Sequence, residues 1–281
     1  MSYTWDGAEP PPRRRPGALG WARAALRGGA LILVLAIAFP VLLLLRLPER
    51  AIWGLSRPVT PWITQGVCIL ACRILGLRRD VAGTPMTGAG AYVANHVSWL
   101  DIFVLNASKR LYFVAKAEVA GWAGIGWLAR GTGTLFFARD PRRAPEQARD
   151  LAARLEAGHR LLFFPEGTST DGKQVLAFRP TLFAAFFGRT NQDSIQVQPV
   201  SLRYDAPPGE AASFYGWWGD MSFGESLMAI LSVPRQGSVR VRYHPPLAVR
   251  DFADRKALAA AAEAAVRAGV ERGAGLSAGR R

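Results

Sequence analysis

Cysteine is scarce in this sequence. Cys68 and Cys72 are the only two among 281 residues, and they lie four positions apart in an apolar stretch. No second pair and no neighbouring histidine completes a tetrahedral metal site. This scarcity excludes a disulfide framework and predicts a reducing compartment for the main domain. We expect no metal site, and we expect the two thiols to pack as small apolar side chains in a helix.

Acidic residues are also few. Aspartate and glutamate number 21 against 35 lysines and arginines, which gives a net charge of +14. Such a surplus favours an anionic partner: nucleic acid, an acidic membrane surface, a phosphorylated substrate or an acidic carrier protein. Charge alone does not choose among them. Because the sequence lacks a nucleic-acid-binding motif, we expect no nucleic-acid partner.

A long charge-free apolar run occurs once, at residues 28–45. As a helix it would extend about 27 Å, which is marginal for a hydrocarbon core of about 30 Å. Pro40 lies inside the run and predicts a kink or a break. A secretory signal peptide is the competing interpretation, but no small-x-small cleavage pattern follows the run. We therefore predict a membrane-associated helix.

A second apolar segment, from Trp62 to Leu77, is interrupted by Gln65 and Arg73 and predicts an amphipathic helix. The two segments together predict a helical hairpin that dips into one leaflet, or one span followed by an interfacial helix. Flanking arginines predict attachment to the cytoplasmic face of the inner membrane. The predicted division of the chain is a disordered basic tail (1–27), membrane-associated helices (28–78), a catalytic domain (79–272) and a disordered tail (273–281).

From about residue 80 onward, short apolar runs alternate with helical stretches. The predicted strands are Ala91–Ala94, Leu111–Ala115, Thr134–Ala138, Arg160–Phe164, Ile195–Arg203 and Val239–Tyr243. The predicted helices are Ala144–Ala157, Leu176–Phe187 and Asp254–Arg272. This alternation predicts an α/β domain with a mixed, largely parallel sheet flanked by helices and preceded by the N-terminal hairpin.

The first candidate site follows the strand Ala91–Ala94. His96 is the residue type most easily tuned to act as a general base, and the carboxylate of Asp101 is five residues further on. Their side chains can meet only if His96 lies in the turn before a helix and Asp101 in its first turn. Ser98 is a good N-cap for such a helix. Ser98 and Asp101 also match a capping box, so capping alone is an equally good interpretation of the pair.

A second block, Phe164–Thr168, ends a predicted strand at Pro165. Gly167 would let the backbone approach a ligand closely, and Glu166 would face a loop at a strand end, where ligands often bind in open α/β sheets. A strand-to-turn connection with an exposed glutamate is the alternative. His159 and His244, which have no aspartate at a matching spacing, are predicted to be surface or strand-end residues.

Two further blocks complete the pattern. Gly133 precedes a strand that ends at Arg139, which could pair with a phosphate. Pro199, in the strand-like run Val197–Val200, predicts an edge strand or a bulge.

These four blocks, in this order, resemble those of the glycerolipid acyltransferase family typified by 1-acylglycerol-3-phosphate acyltransferases. The matching residues are Asn95, His96 and Asp101; Gly133, Phe136 and Arg139; Phe164–Thr168; and Val197–Val200. The resemblance spans roughly residues 80–205. It implies a lysolipid O-acyltransferase that takes a fatty acyl group from an acyl carrier protein or coenzyme A thioester and needs no further cofactor.

The resemblance also implies roles for individual residues. His96 would be the general base and Asp101 would orient it. Arg139, Glu166, Gly167 and Thr168 would bind the acceptor lipid. Further candidates for the site are Asn95, Gly133, Lys173 and Arg179. No nucleophile elbow is present, so no acyl-enzyme intermediate is expected.

One departure concerns the acceptor. Many phosphatidate-forming members carry Arg or Lys after the block that ends at Thr168, and this chain has Ser169. Lysophosphatidate is the acceptor that the family resemblance favours. A lyso-ornithine lipid or another lysolipid is the alternative. A catalytically inactive lipid-binding protein on the same fold is the non-enzyme alternative, against which the intact His96 and Asp101 argue.

Overall fold

The structure of the protein is a computed structural model that describes residues 4–13, 15–88, 90–138, 140–187 and 195–278. The helices are α1 (Ala18–Trp53), α2 (Thr60–Leu75), α3 (Leu100–Ser108), α4 (Ile125–Thr132), α5 (Ala144–Glu156), α6 (Phe223–Ser232) and α7 (Arg255–Ala278). The strands are β1 (Arg78–Ala82), β2 (Gly90–Ala94), β3 (Tyr112–Lys116), β4 (Leu135–Phe137), β5 (Leu161–Phe163), β6 (Gln196–Asp205), β7 (Ser238–Tyr243) and β8 (Leu247–Ala248). Short 3-10 helices cover Ala117–Gly121, Pro141–Arg143, Pro180–Phe186 and Val249–Asp251.

The described strands form one sheet in the order β1-β7-β6-β2-β5-β3-β4, with β8 beside β6. Only β6 with β7 and β6 with β8 pair antiparallel, and the other pairs are parallel. The prediction of a mixed, largely parallel sheet is confirmed. Because β2, β5 and β6 run in the same direction, their carboxyl ends meet at one edge of the sheet.

Alternation along the central strands divides the core into two layers. In β2, Tyr92 and Ala94 face the layer formed by α1, α2, α3 and α6, whereas Ala91 and Val93 face α5, α7 and the 3-10 helix Pro180–Phe186. All four side chains are fully buried. Both faces of the central strands are thus covered, as expected for a largely parallel sheet.

The predicted helical hairpin is present as α1 and α2, but α1 is longer than expected. It begins at Ala18, so the prediction of a disordered tail is wrong for residues 18–27. Pro40 does not break it, since the helix continues on both sides of the proline. Arg23 before Pro40 bonds the carbonyl of Ser232 in α6, and Leu43 after it lies near Gly131 in α4. Glu49 closes the hairpin by accepting hydrogen bonds from the backbone N–H groups of Val59 and Thr60.

Several predicted elements differ in the structure. The helix predicted over Leu176–Phe187 is only the 3-10 helix Pro180–Phe186, because proline blocks an earlier start and the preceding segment binds the site loop. Helix α7 continues to Ala278, beyond the expected start of a disordered tail at residue 273, and residues 279–281 lie outside the described range. The sequence patterns missed α4, α6, β1 and β8.

Pro199 lies in a central strand and not at an edge, but the predicted bulge is present: residues 198–199 of β6, between the pairs Val197–Leu247 and Val200–Tyr243, lie opposite the three residues 244–246 that join β7 to β8. Pro199 pairs with Val93 of β2 on one side. On the other side its carbonyl accepts from the N–H of His244, between the end of β7 and the start of β8. Since a residue's N–H and C=O point to the same side of a strand, the missing N–H of proline faces this interruption between neighbouring strands.

Candidate active site

The side chains of His96 and Asp101 meet at the carboxyl edge of the sheet. His96 lies in the loop directly after β2, and Asp101 lies in the first turn of α3. His96 Nδ1 is 2.8 Å from Asp101 Oδ2. The geometry that the sequence requires for a dyad is therefore present.

The carboxylate of Asp101 is fully buried and accepts four hydrogen bonds. Oδ2 accepts from the His96 ring and from the backbone N–H groups of Val97 and Ser98, at 2.7 and 3.0 Å. The bond from Ser98 N–H is half of a capping box. The carboxylate of Asp101 thus has two roles: it caps α3 and it orients His96. The donors compensate for its removal from water.

Tyr204 supplies the fourth donor and is a site residue that the sequence patterns missed. Its hydroxyl donates to Asp101 Oδ1 at 2.8 Å. Burial and the adjacent Asp101 raise the pKa of Tyr204 well above its ordinary value, so the hydroxyl stays protonated and remains a donor. No local spacing links Tyr204 to Asp101, because the two residues are 103 positions apart.

The imidazole of His96 is held on its face as well as at its edge. Its ring stacks on Phe164 with centroids 4.0 Å apart and an interplanar angle of 12°. With Nδ1–H directed to Asp101, the neutral ring carries its lone pair on Nε2. The side chain is 20% exposed, which leaves this nitrogen reachable from solvent or substrate.

The loop after β5 holds the backbone of His96 through hydrogen bonds to both its N–H and its C=O. Glu166 Oε1 accepts from the N–H of His96 at 2.7 Å, and Oε2 accepts from the N–H of Leu176 at 2.7 Å. The N–H of Thr170 donates to the carbonyl of His96 at 3.0 Å. The block at 164–168 and the block at 95–101, which are separate in sequence, therefore form one structure.

Glu166 is almost completely buried, contrary to the exposed side chain of the alternative interpretation. Burial outweighs its two backbone N–H partners and raises its pKa to about 8. Both oxygens face backbone amides. The carboxyl group of Glu166 thus joins two loops through hydrogen bonds to their backbones. Its contact with an acceptor lipid stays a prediction.

Gly167 and Thr168, the next two residues of the loop, have contacts with other parts of the chain. Gly167 has a φ of 72°, and a Cβ there would lie 2.9 Å from Nε of Arg179, which donates to the carbonyl of Glu166. Thr168 is buried, and its hydroxyl accepts from the N–H of Trp5 near the amino terminus. Glycine at 167 therefore allows a cation to lie against the loop.

The structure separates the other predicted site residues. Asn95 is buried and exchanges two hydrogen bonds with the backbone of Leu202, so it joins the ends of β2 and β6. Gly133 caps α4 with a φ of 89° and contacts Arg57 instead of the dyad. Lys173 is 60% exposed and lies 4.0 Å from Asp171. Arg139 lies outside the described residues.

An aromatic wall adjoins the dyad. It consists of Trp99, Trp122, Trp217 and Phe223, whose successive ring centroids are 5.4 to 6.1 Å apart. The N–H of Trp217 donates to the carbonyl of Val97, next to His96. This hydrogen bond ties the backbone of the aromatic wall to the residue that follows His96.

His159 and His244 are buried, so the prediction of a surface position is wrong, but the strand-end alternative holds: His244 directly follows β7, and His159 lies two residues before β5. His159 lies between Arg154 and the carbonyl of Leu55, and His244 bonds Ser201. Burial and nearby arginines lower the pKa of each to about 4. Neither contacts an aspartate within the part of the chain that the structure describes.

Comparison with known proteins identifies the family of this chain. The acyltransferase family model matches residues 80–203. A lyso-ornithine lipid O-acyltransferase of Rhodobacter capsulatus is 57% identical over 266 residues, which cover 95% of this chain and 96% of that protein. The chain belongs to this acyltransferase family.

Other relatives of this acyltransferase are more distant. A lyso-ornithine lipid O-acyltransferase of Rhizobium meliloti is 32% identical and covers 79% of this chain and 76% of that protein. A 1-acyl-sn-glycerol-3-phosphate acyltransferase of Neisseria meningitidis is 30% identical and covers 73% and 79%. The crystal structure of the 1-acyl-sn-glycerophosphate acyltransferase PlsC of Thermotoga maritima shares the fold, with a TM-score of 0.62 at 20% identity, covering 90% of this chain and 97% of that one. The predicted family, enzyme class and fold are confirmed.

Proposed function

We propose that this acyltransferase moves a fatty acyl group from a thioester onto the hydroxyl of a lyso-ornithine lipid, with His96 as general base. The observation that carries the proposal is the His96–Asp101 pair in a chain so similar to a lyso-ornithine lipid O-acyltransferase along nearly its whole length. Phosphatidate synthesis from lysophosphatidate is the second candidate, favoured by the relative from Neisseria meningitidis.

The reaction follows from the ring geometry. Nε2 of His96 removes the proton of the acceptor hydroxyl while its oxygen attacks the thioester carbonyl, and Asp101 stabilises the imidazolium that forms. The new C–O bond forms, the C–S bond breaks, and the thiolate of coenzyme A or acyl carrier protein takes the proton. No cofactor beyond the acyl thioester enters. The aromatic wall beside Val97 is our candidate surface for an acyl chain.

The loop chemistry supports an acceptor other than a phosphomonoester. Ser169 stands where phosphatidate-forming members carry a cation, and its hydroxyl is engaged by the carbonyl of Trp217. Arg179 lies against the loop at Gly167 and is our candidate partner for the carboxylate of an ornithine headgroup. Lys173 is engaged with Asp171.

Turnover with defined lipids tests the acceptor. Purified enzyme is incubated with lyso-ornithine lipid or lysophosphatidate, each with acyl-coenzyme A and with acyl carrier protein thioester, and products are identified by mass spectrometry. We expect ornithine lipid as the main product. Preferential turnover of lysophosphatidate would reject the proposed acceptor and leave the acyltransferase assignment intact.

We further propose that α1 lies in one leaflet of the inner membrane, with the catalytic domain at the cytoplasmic face. Helix α1 is long and apolar enough to cross a bilayer. However, Arg23 bonds the carbonyl of Ser232 in α6, and Leu43 packs near Gly131 in α4. Those contacts hold α1 against the domain over about 30 Å, the thickness of a hydrocarbon core. A helix held in this way cannot cross the bilayer without the domain.

The opposite side of α1 presents the apolar surface that such a position needs. Its exposed residues include Leu26, Leu33, Ile37, Val41 and Leu44, and Trp127 of α4 is 70% exposed. Single cysteines replacing Leu26, Leu33 and Leu44, labelled with a fluorophore and quenched by spin-labelled lipids, report their depth. We expect similar shallow depths. A depth maximum at Leu33 would support a span instead. Cys68 and Cys72 are buried, which limits background labelling.

A further inference from the structure

A basic cavity lies at the amino edge of the sheet, away from the dyad. Its volume is about 240 Å³. Tyr112, the first residue of β3, and Arg160, directly before β5, contribute to its wall. His96 and Phe164 follow the carboxyl ends of strands, so the length of a strand, roughly 15 Å, separates the two sites.

The cavity is lined by cations from three parts of the chain. Arg57 follows α1, Arg110 precedes β3 and Arg160 precedes β5. Arg46 and Arg154 lie close enough to lower the pKa of Arg57, which falls to about 10 mainly through burial. The nearby carboxylate of Glu49 is engaged by Arg46, Val59 and Thr60.

Two of the lining arginines also have unused hydrogen-bonding capacity. Nε of Arg57 and Nε of Arg160 are buried and have no hydrogen-bond partner among the described residues. Buried polar groups in folded proteins are nearly always paired. Converging guanidinium groups are suited to a phosphate, which accepts several charge-assisted hydrogen bonds.

The surroundings of the cavity are those of a membrane interface. Trp53, the last residue of α1, lines it and is half exposed. Arg110 lies 3.6 Å over the ring of Trp62, which is 59% exposed. Tryptophan and arginine at the end of an apolar helix are typical of the headgroup region. The volume is also below that of pockets that enclose whole drug-sized ligands.

We propose that this cavity binds the phosphate of an anionic phospholipid and docks the enzyme on acidic lipids beside α1. The choice of a lipid as the source of the phosphate rests on the membrane position proposed above. The site is separate from the acceptor site, so its lipid is not consumed in the reaction.

Vesicle flotation tests the docking. The full-length enzyme is mixed with vesicles of phosphatidylcholine alone or of phosphatidylcholine with phosphatidylglycerol. The double variant Arg110→Gln/Arg160→Gln removes two lining charges. The control, Arg242→Gln/Arg250→Gln, removes two charges from exposed residues outside the lining. Arg57 is left unchanged because it also bonds the carbonyl of Gly131.

We expect the cavity variant to lose about tenfold in affinity for the anionic vesicles, with a much smaller loss in the control. Binding to neutral vesicles should stay the same in all three proteins, and its absence would refute the membrane position separately. Equal losses in both variants would overturn the cavity proposal in favour of general charge attraction. Circular dichroism confirms that each variant is folded.

Two further measurements separate other anions. Stabilisation of the wild type by inorganic phosphate, without a preference for anionic vesicles, would overturn the assignment to a lipid. In neutral detergent micelles we expect unchanged acyl transfer from acyl carrier protein thioester by the cavity variant. A raised KM for that donor in the variant would identify the cavity as a docking site for the acidic carrier protein and reject the lipid.

Discussion

The two edges of the sheet carry charged groups of opposite sign, and these groups differ in their hydrogen-bond partners. At the carboxyl edge, the buried carboxylate of Asp101 has four donors, and the backbone of His96 is held at both N–H and C=O. At the amino edge, arginines face a cavity with two buried Nε atoms that lack partners among the described residues. At the first edge the protein itself supplies every hydrogen-bond partner described above, whereas at the second edge the proposed partner is the phosphate of a ligand.

The contrast is between a site whose geometry is fixed before a ligand arrives and a site whose donors are used only in a complex. A general base works best when its orientation is fixed before the substrate arrives, so its partners belong to the protein. A docking site gains affinity from groups that are satisfied only in the complex. The difference can be challenged by changing one partner at a time at either edge.

The largest effect is expected at His96. His96→Ala removes the proton acceptor, and we expect kcat/KM to fall by about 10³-fold. Acyl transfer is measured with the preferred lysolipid. His244→Gln, at a buried histidine remote from Asp101, serves as the control and should retain most activity. Full activity in His96→Ala would exclude the proposed mechanism.

The next effect concerns Glu166 and the pH dependence of stability. The folded protein holds the Glu166 proton up to about pH 8, compared with an ordinary pKa of 4.5. Its contribution to the free energy of unfolding is therefore full below pH 4.5 and is lost as the pH rises toward 8. The loss is on the order of 5 kcal/mol, since one pKa unit corresponds to about 1.4 kcal/mol.

Glu166→Gln should remove this slope. Thermal unfolding between pH 5 and pH 9 provides the measurement, with Glu118→Gln as a control that removes an exposed carboxylate. A slope in Glu166→Gln as steep as in the wild type would show that the carboxyl is not the group responsible.

A smaller effect is expected at Tyr204. Tyr204→Phe leaves Asp101 Oδ1 buried without its donor, which should lower the free energy of unfolding by about 1–3 kcal/mol. With one donor fewer, the carboxylate holds protonated His96 more strongly. The acid limb of the pH profile of kcat/KM should therefore move to higher pH.

Tyr92→Phe is the matched control, because its hydroxyl makes one buried hydrogen bond, to the carbonyl of Met86. It should cost similar stability and leave the pH profile in place. A shifted profile in both variants would assign the effect to general loosening instead of to Asp101.

The last effect concerns His159, beside the cavity, and is confined to acid pH. Its pKa is lowered to about 4 from an ordinary 6.5, so its contribution to stability is present above pH 6.5 and is lost as the pH falls toward 4. His159→Gln keeps a donor for Leu55 and should weaken this acid-side loss. Chemical denaturation at pH 7 and pH 4.5 measures it, and an unchanged difference between the two pH values would contradict the prediction.

The sequence predicts those parts of the site that depend on local spacing. His96 and Asp101 meet because strand, turn and helix follow one another within a few residues. The order of the four blocks identifies the family. Neither the hydrogen bond from Tyr204 to Asp101 nor the one that His96 N–H donates to Glu166 has a local signature, since each joins segments that only the sheet brings together.

The fold shows the same limit. Short apolar runs predict the central strands to within one or two residues, because burial on both faces makes these strands apolar. The exposed strand Arg78–Ala82 has no such run, because four of its five residues face solvent. Pro40 lies inside a continuous helix, which the propensity of proline alone disfavours.

Helix α2 packs into the main hydrophobic core, so the helical hairpin and the α/β domain are not independent units. Cys68, Cys72 and Leu75 pack in the same apolar cluster as Leu105 of α3 and Tyr92 of β2. The helical hairpin is thus not an interchangeable anchor that a protease, a splice or a deletion could remove to release a working soluble enzyme. Cutting before β1 would open the hydrophobic interior, so we expect truncated chains to aggregate. In such an architecture, the hairpin is a structural part of the domain that carries His96.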